Sequence, residues 1–344
     1  MGETPVLPDR VAQLLDDILA SPAELAAVSN AQRVLLASLP DGAFEEALAR
    51  PRRRLIGIGS SRFAALDAAA RWRQSGLDAV AETASASGAS RGGADTLALV
   101  ISSSGSTAES VAAARRHRLA GSLVIAMTSR PASPVAAEAD IVLPLCGARA
   151  ELSGMATLSY RATMAGLCLL DGSAAIQPQL DAAPAAVGTV IAKRAAWLTD
   201  AARLLDTGRE IHVLADGFHA GLAEQAALML REAPRIAAIP FDTGDWLHVG
   251  LYTLLPGDGV VLFAGSAADD EAITTIHARG ARVVVAGPVR DGADVWIPVG
   301  GDAVPLQLAH ALAVSVVAEL LAAELWRRAG MTAAAPAAPP ARLT

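Results

Sequence analysis

Short apolar segments alternate with longer Ala- and Leu-rich stretches along most of the chain. Segments with few polar positions that end at Gly, Ser, Pro or Asp are typical of strands buried on both faces of a parallel sheet. The stretches between them have the apolar spacing of helices. The strands predicted in the first half are 54–61, 78–84, 95–105, 122–129 and 140–146, and those in the second half are 210–217, 236–242, 259–266, 282–288 and 294–300.

The same alternation occurs twice, which predicts an α/β protein with two domains, each a parallel sheet with helices on both faces. The predicted parts are N-terminal helices (1–45), a first domain (46–172), an interdomain helix (173–207), a second domain (208–327) and a C-terminal tail (328–344). Two or three short helices are expected over 8–50, with Asp9 or Ser21 as a possible N-cap and with breaks at Pro22, Pro40 and Pro51. A helix is expected near 245–255, the interdomain helix around residues 185–205, and a final long helix over 304–327.

Composition narrows the function classes. The 344 residues are 53% hydrophobic and 18% charged, with a net charge of −7 and no basic tract, so disorder, nucleic-acid binding and an anionic membrane partner are disfavoured. The segment 306–325 is apolar but interrupted by Gln307, His310 and two glutamates, which predicts a core helix. With no signal-peptide pattern at the N-terminus, we expect a cytoplasmic protein. Cys146 and Cys168 lie in apolar runs and are expected to be buried free thiols.

A cluster of hydroxyls stands where a predicted strand meets a helix, in VISSSGSTAES (100–110). Ligands bind at the carboxyl ends of parallel strands, where helix N-termini carry unpaired amides and a positive dipole. Gly105 permits a sharp turn, and the amides of 104–107 together with the hydroxyls of Ser102, Ser104 and Thr107 would suit a phosphate. The simpler interpretation is that Ser104 or Ser106 only caps the helix.

Two other interpretations are weaker. Gly57-x-Gly59 begins a dinucleotide-binding fingerprint, but Arg62 occupies the third glycine position, so no nicotinamide cofactor is expected. A serine hydrolase is disfavoured because no G-x-S-x-G elbow occurs. The residues GSS of IGIGSS instead suggest a second hydroxyl loop, with Ser60 and Ser61 facing the same anion. No metal-ligand spacing is present, and neither a metal nor a cofactor is expected.

GIGSS (57–61) and ISSSGSTAES (101–110), on successive strand–helix units, resemble the sugar isomerase (SIS) domain, a flavodoxin-like phosphosugar-binding fold. LREAP (230–234) and DWLHVG (245–250) extend the resemblance to tandem SIS proteins: the isomerase half of glucosamine-6-phosphate synthase, glucosamine-6-phosphate deaminases and fructosamine-6-phosphate deglycases. The resemblance covers roughly residues 15–344 and implies two flavodoxin-like SIS domains.

The resemblance also implies roles for particular residues. Ser61, Ser102, Ser104 and Thr107 would hold the sugar phosphate, with Ser103 alongside. Glu232 matches the general base that moves a proton between C1 and C2. His248 matches the ring-opening histidine, which in this family comes from the partner subunit of a homodimer. Further ligand contacts are implied for Thr157, Ser159 and, less directly, Glu151.

The chain departs from the family at several positions. Met229 stands where the synthases have a lysine, and His248-Val249-Gly250 replaces His-Gly-Pro. The family's tails commonly end in Pro-x-x-Leu-x-Lys, whereas this tail stops at Thr344, just before the lysine position. Lys193, the only lysine, lies in the predicted interdomain helix, which argues against Schiff-base chemistry. The resemblance therefore implies a deaminase or deglycase for an amino- or fructosamine-type hexose 6-phosphate. A non-catalytic phosphosugar sensor and an isomerase without nitrogen chemistry remain alternatives.

Overall fold

The computed structural model describes residues 7–88, 90–173, 175–299 and 308–329, and these contain two five-stranded parallel sheets. The ten strands are β1 (Arg52–Gly57), β2 (Asp78–Thr83), β3 (Thr96–Ile101), β4 (Leu123–Thr128), β5 (Ile141–Pro144), β6 (Ile211–Ala215), β7 (Ala238–Asp242), β8 (Gly259–Phe263), β9 (Arg282–Gly287) and β10 (Val295–Pro298). All ten predicted strands are confirmed. The inner strands of the two sheets are buried along nearly their whole length, as their apolar runs predict, whereas the four edge strands β2, β5, β7 and β10 are partly exposed.

The two sheets have the same topology. The order is β2-β1-β3-β4-β5 in the first and β7-β6-β8-β9-β10 in the second, and every pairing is parallel. This 2-1-3-4-5 order is the flavodoxin-like arrangement, in which ligands bind where the strand order reverses. The predicted architecture of two flavodoxin-like domains is thus confirmed.

Helices cover both faces of each sheet and connect the domains. They are α1 (Leu7–Ala37), α2 (Ala43–Ala49), α3 (Ser60–Gln74), α4 (Ala108–Leu119), α5 (Leu158–Leu169), α6 (Gln177–Lys193), α7 (Leu198–Leu205), α8 (Ala220–Glu232), α9 (Thr243–Trp246), α10 (Asp269–Ala278) and α11 (Leu308–Arg328).

The predicted break at Pro22 is wrong, because α1 continues through this residue as one helix of 31 residues. A proline inside a helix removes one backbone hydrogen bond. Packing of α1 against α5, α6 and α11 compensates for that loss. The Ser21 hydroxyl, expected as a possible N-cap, donates back to the carbonyl of Asp17 at 3.0 Å.

Two other helix predictions need correction. The interdomain helix expected around 185–205 is two helices, α6 and α7, separated by a 3-10 turn at Arg194–Ala196. The helix expected near 245–255 is the single turn α9, followed by a 3-10 turn at Gly250–Thr253. Glycine has a low helix propensity, and any Cβ at Gly250 would lie 2.2 Å from Cδ1 of Trp246. Close packing on the indole therefore takes the place of a continuous helix.

The two domains are joined where α3 crosses α8. The buried carboxylate of Asp67 accepts the backbone amide of Gly221 at 3.0 Å and lies 3.4 Å from Nδ1 of His219. A Cβ at Gly221 would approach the carbonyl of Phe63 to 2.1 Å, so only glycine permits this crossing. The contact brings the helix that ends at Glu232 against the first domain.

Helix α11 is the only described helix long and apolar enough to cross a membrane, but 89% of its apolar window is buried within the protein. This agrees with the prediction of a core helix; the predicted first turn (304–307) lies outside the described residues. Inside the core, Glu319 of α11 accepts a hydrogen bond of 2.7 Å from Arg161 of α5. Both side chains are almost fully buried.

Candidate functional site

A cavity of about 410 Å³ lies at the carboxyl ends of β3 and β4. One wall is formed by Ser103, Ser104, Ser129 and Arg130, which follow the two strands. The opposite wall comes from the segment 145–159, which leads from β5 into α5. The cavity therefore occupies the edge of the first sheet where ligand binding is expected in this topology.

The hydroxyl turn is tight and partly self-satisfied. The amide of Gly105 donates to the carbonyl of Ser102 at 2.9 Å, and the amide of Ser106 lies 3.3 Å from Oγ of Ser104. Two of the four amides expected to face a ligand are thus used within the turn. Thr107 is the N-cap of α4 without a side-chain cap bond, so the simple capping role for Ser104 or Ser106 is not observed.

Gly105 is required by packing as well as by conformation. Its φ of 64° lies in the left-handed region, and an added Cβ would come within 2.1 Å of Oγ of Ser133 and 2.8 Å of Oγ1 of Thr128. The backbone of Gly105 therefore lies close to the segment 128–133, at the end of β4. It holds the turn against the end of β4 and keeps Ser103 beside Ser129, with their hydroxyls 3.1 Å apart.

A carboxylate occupies the start of α5. Glu151 accepts hydrogen bonds from the amides of Thr157 and Ser159 at 2.6 and 3.0 Å and from the hydroxyl of Ser159 at 2.9 Å. Desolvation raises the pKa of Glu151, while these hydrogen bonds act in the opposite direction. Since a helix N-terminus attracts anions, Glu151 fills that position and leaves the 102–107 turn as the open anion-binding end.

Helix α1 holds the loop that carries this wall, a role that the sequence reasoning missed. The buried carboxylate of Asp17 accepts Nη2 of Arg149 at 2.6 Å and the amide of Ser153 at 2.8 Å. Two turns later in α1, the carboxylate of Glu24 accepts a hydrogen bond of 3.2 Å from the amide of Arg149. The available signal was a pair of carboxylates seven residues apart on an otherwise apolar helix face.

Helix α8 is fixed against the cavity by polar contacts. The amide of Gln225 donates to the carbonyl of Ala156 at 2.9 Å, and Tyr160 donates to the carbonyl of Gly221 at 3.4 Å. Glu232, seven residues after Gln225, lies on the same face of the helix two turns later. The candidate base is therefore on a helix whose register against the first domain is set at the cavity wall.

Glu232 itself lies beside a second, more open cavity of about 600 Å³, lined with Arg231, Arg235 and Ile236. The residue as a whole is exposed, yet the surrounding protein atoms partly desolvate its carboxyl and raise its pKa. The positive charge of Arg231 acts in the opposite direction and lowers it. Arg235 has a φ of 59°, the only non-glycine residue with positive φ among those described. Such strain is concentrated at functional sites.

His248 lies on the turn after α9, with its amide bonded to the carbonyl of Asp245 at 2.9 Å. Its side chain is exposed and is not part of either cavity. The exposed fractions of Val249, Tyr252 and Leu255 are 52%, 72% and 45%, so exposed apolar side chains follow this histidine closely along the chain.

The predicted site residues are only partly brought together within one protomer. Three of them line the first cavity: Ser103, Ser104 and Ser159. The other predicted residues lie around this cavity or apart from it. Ser60 and Ser61 begin α3, after the adjacent strand β1, and Ser102 is buried below the turn. Thr107 is the N-cap residue of α4, Thr157 is buried against Glu151, and Glu232 and His248 belong to the second domain.

Both cysteines are free, as expected, but their burial differs. Cys168 is buried, which raises the pKa of its thiol to about 11. Cys146 was expected to be buried as well and is instead half-buried, because it follows β5 at the cavity wall. The end of an apolar strand in this topology lies at the ligand edge, so its last residues are less covered than the strand itself.

Comparisons with known proteins agree with this geometry. Residues 48–170 match the family model described as the SIS domain. Glutamine–fructose-6-phosphate aminotransferase [isomerizing] from Aeropyrum pernix is 29% identical over 209 residues, which cover 56% of this chain and 34% of the relative. The chain thus spans about a third of the length of the curated relatives it matches.

Two solved structures share the fold over nearly the whole chain. Tagatose-6-phosphate ketose/aldose isomerase from Escherichia coli has a TM-score of 0.77 at 19% identity, covering 94% of this chain and 95% of its own. Glucosamine-6-phosphate deaminase from Thermotoga maritima has a TM-score of 0.64 at 18% identity, covering 92% and 95%. Residues 48–170, which contain the first sheet, therefore match the SIS domain, and both sheets together have the fold of these two solved structures.

Proposed function

We propose that this protein is a homodimeric, cytoplasmic sugar-phosphate isomerase/deaminase that acts on an amino- or fructosamine-type hexose 6-phosphate. The observation that carries the proposal is the cavity in which the Ser103–Ser104 turn faces the start of α5, at the ligand edge of a SIS domain. Hydroxyl and amide donors in a tight turn before a helix suit a phosphate.

The proposed reaction begins with ring opening by His248, since an imidazole exchanges protons near neutral pH. In a fructosamine 6-phosphate, Glu232 then removes a proton from C1 and the enaminol is protonated at C2. Water hydrolyses the resulting C1 imine, which yields an aldose 6-phosphate and the free amine. In a 2-amino sugar the proton moves from C2 to C1, and hydrolysis of the C2 imine releases ammonia.

Two features support Glu232 as the base. Desolvation raises the pKa of its carboxyl, which brings a carboxylate closer to the range useful for general-base catalysis. Gln225, on the same helix, bonds to Ala156 at the cavity wall. Glu232 is thereby held at a fixed offset from the proposed phosphate site.

A homodimer is supported by the surroundings of His248. A catalytic histidine has no role on the open surface of a protomer, but the apolar residues Val249, Tyr252 and Leu255 around it form a surface suited to a subunit contact. We therefore propose that His248 reaches the cavity of the partner subunit.

A non-catalytic sensor is the second candidate function, and Met229 favours it. Met229 is fully buried at the position where the synthases have a lysine, and Lys193 is exposed at the end of α6. No described lysine is therefore available to form a Schiff base in either cavity.

A panel of hexose 6-phosphates tests the proposal. The purified protein is incubated with glucosamine, fructosamine-type, fructose and tagatose 6-phosphates, and released ammonia or amine and the sugar products are measured. Nitrogen release supports the deaminase or deglycase. Aldose–ketose exchange without nitrogen release indicates the simple isomerase, and binding without turnover indicates the sensor. Failure to bind any phosphorylated sugar contradicts all three.

A further inference from the structure

The two domains can be compared position by position because their sheets share one topology. The third strand is β3 in the first domain and β8 in the second, and the fourth is β4 or β9. The last residue of the third strand pairs with a fourth-strand residue in both cases, Ile101 with Met127 and Phe263 with Ala286. The hydroxyl turn 102–107 therefore corresponds to the loop after β8.

In the second domain this position is already occupied by an anion from the chain itself. The carboxylate of Asp269 accepts the amides of Gly265 and Ser266 at 2.8 and 3.1 Å. The guanidinium of Arg290, which follows β9, donates to the same carboxylate oxygen at 3.3 Å. Asp269 is fully buried. The second domain thus contains an anion site that the carboxylate of Asp269 fills. The site is formed by the loop after β8 and by Arg290, which follows β9.

The first domain has a corresponding loop and arginine but no acidic residue at the corresponding position. Residues 102–108 (SSSGSTA) contain no acidic side chain, and the first acidic residue of α4 is Glu109, at its second position, whereas Asp269 is the first residue of α10. Arg130 follows β4 by two residues, as Arg290 follows β9 by three, and Arg130 lines the cavity together with Ser103 and Ser104. Within the described residues, no carboxylate forms a salt bridge with Arg130.

We propose that Arg130 binds the phosphate of the ligand at the 102–107 turn. Arg130 would contact the phosphate in the first domain as Arg290 contacts the carboxylate of Asp269 in the second. A guanidinium offers a planar pair of donors that matches phosphate oxygens, and charge-assisted hydrogen bonds of this kind are stronger than those from hydroxyls. The phosphate site is then cationic, although the hydroxyl cluster alone is neutral. This inference rests on the proposed function and deepens it.

Calorimetric titration with inorganic phosphate and with fructose 6-phosphate tests the proposal on full-length protein. R130Q should weaken the binding of both probes by about 10- to 100-fold, and R130K should retain part of the affinity. R116Q, which changes an exposed arginine of α4 outside the cavity, is the matched control and should bind as wild type does. Added salt should weaken binding more in wild type than in R130Q, because salt screens the attraction between Arg130 and the phosphate, which R130Q lacks.

The outcomes separate the two levels of the argument. If wild type binds both probes and R130Q binds them equally well, Arg130 is not a phosphate ligand, while the proposed function stands. If R130Q weakens fructose 6-phosphate but leaves inorganic phosphate unchanged, Arg130 contacts the sugar and the proposal is also overturned. If wild type binds neither probe, the phosphate site and the proposed function fall together. Circular dichroism spectra of the variants establish that each one is folded.

Discussion

The side-chain amide of Gln225 donates a hydrogen bond of 2.9 Å to the backbone carbonyl of Ala156. Gln225 is buried in α8 of the second domain, whereas Ala156 lines the cavity of the first. Together with the contacts of Tyr160 and Asp67 to Gly221, this hydrogen bond fixes the position of α8, and with it Glu232 at the end of that helix, relative to the proposed phosphate site.

Replacing Gln225 by leucine should reduce kcat more than it changes KM. The substitution leaves the carbonyl of Ala156 without its partner and permits α8 to shift, while the phosphate turn stays intact in the first domain. Misplacement of a catalytic group by about 1 Å can cost about 100-fold in rate, so we expect a loss of about 10- to 100-fold in kcat with KM within about threefold.

Steady-state kinetics with the substrate found in the panel would measure this change. Q74L is the control, because Gln74 is exposed at the end of α3 and lines neither cavity. A Q225L variant with a raised KM and an unchanged kcat would contradict a positioning role.

The phosphate turn gives a second prediction. Ser104→Ala combined with Thr107→Ala should weaken binding of hexose 6-phosphates by about tenfold or more, because each neutral hydrogen bond contributes about 0.5–1.5 kcal/mol. Binding of the unphosphorylated sugars should be unaffected. Ser75→Ala, which removes an exposed hydroxyl at the end of α3, serves as the control. Equal affinity of wild type and the double variant in calorimetry would remove the turn from the site.

The strands could be predicted because the inner strands of both sheets are buried along nearly their whole length. Continuous apolar runs then carry the signal without any tertiary information. Helix interruptions were less predictable. Pro22 signals a break locally, yet α1 continues because three other helices pack along it. At Gly250 the reverse occurs, since contact with Trp246 ends a helix that the apolar pattern would extend.

The candidate site was predictable only where its residues are close in sequence. The hydroxyl turn before α4 was found from its composition, and Ser103 and Ser104 do line the cavity. Arg130 and Asp17 were missed, because each is brought to the site by strand order or helix packing. For Asp17 the local signal is the carboxylate pair Asp17 and Glu24, seven residues apart on α1, and that pair does not indicate which loop it binds.

Glu232 provides a prediction about pH. Glu232→Gln should abolish turnover while sugar-phosphate binding persists. Because a base must be deprotonated, kcat/KM of the wild type should fall as pH decreases through the pKa of Glu232, and desolvation places that acid limb above the ordinary glutamate value. E224Q, on the same helix, should keep both the rate and its profile. Near-normal turnover by E232Q would exclude Glu232 as the base.

The buried pair of Arg161 and Glu319 gives a prediction about stability. The guanidinium of Arg161 donates to Glu319 at 2.7 Å and also bonds to the hydroxyl of Ser21, and both charged side chains are about 1% exposed. Burial raises the pKa of Glu319, while Arg161 favours its charged form. Removing one partner leaves the other charge buried and uncompensated, which costs about 3–5 kcal/mol.

We therefore expect R161M and E319L each to lower the free energy of unfolding by about 3–5 kcal/mol. The double variant should be markedly more stable than the sum of the two losses implies, because it buries no unpaired charge and apolar replacements of similar volume are often neutral. Urea unfolding of the four proteins closes this double-mutant cycle. Strict additivity would mean that the two residues stabilise α5 and α11 independently. A large favourable coupling would instead identify the pair as one unit, joining the helix at the cavity wall to the core helix of the second domain.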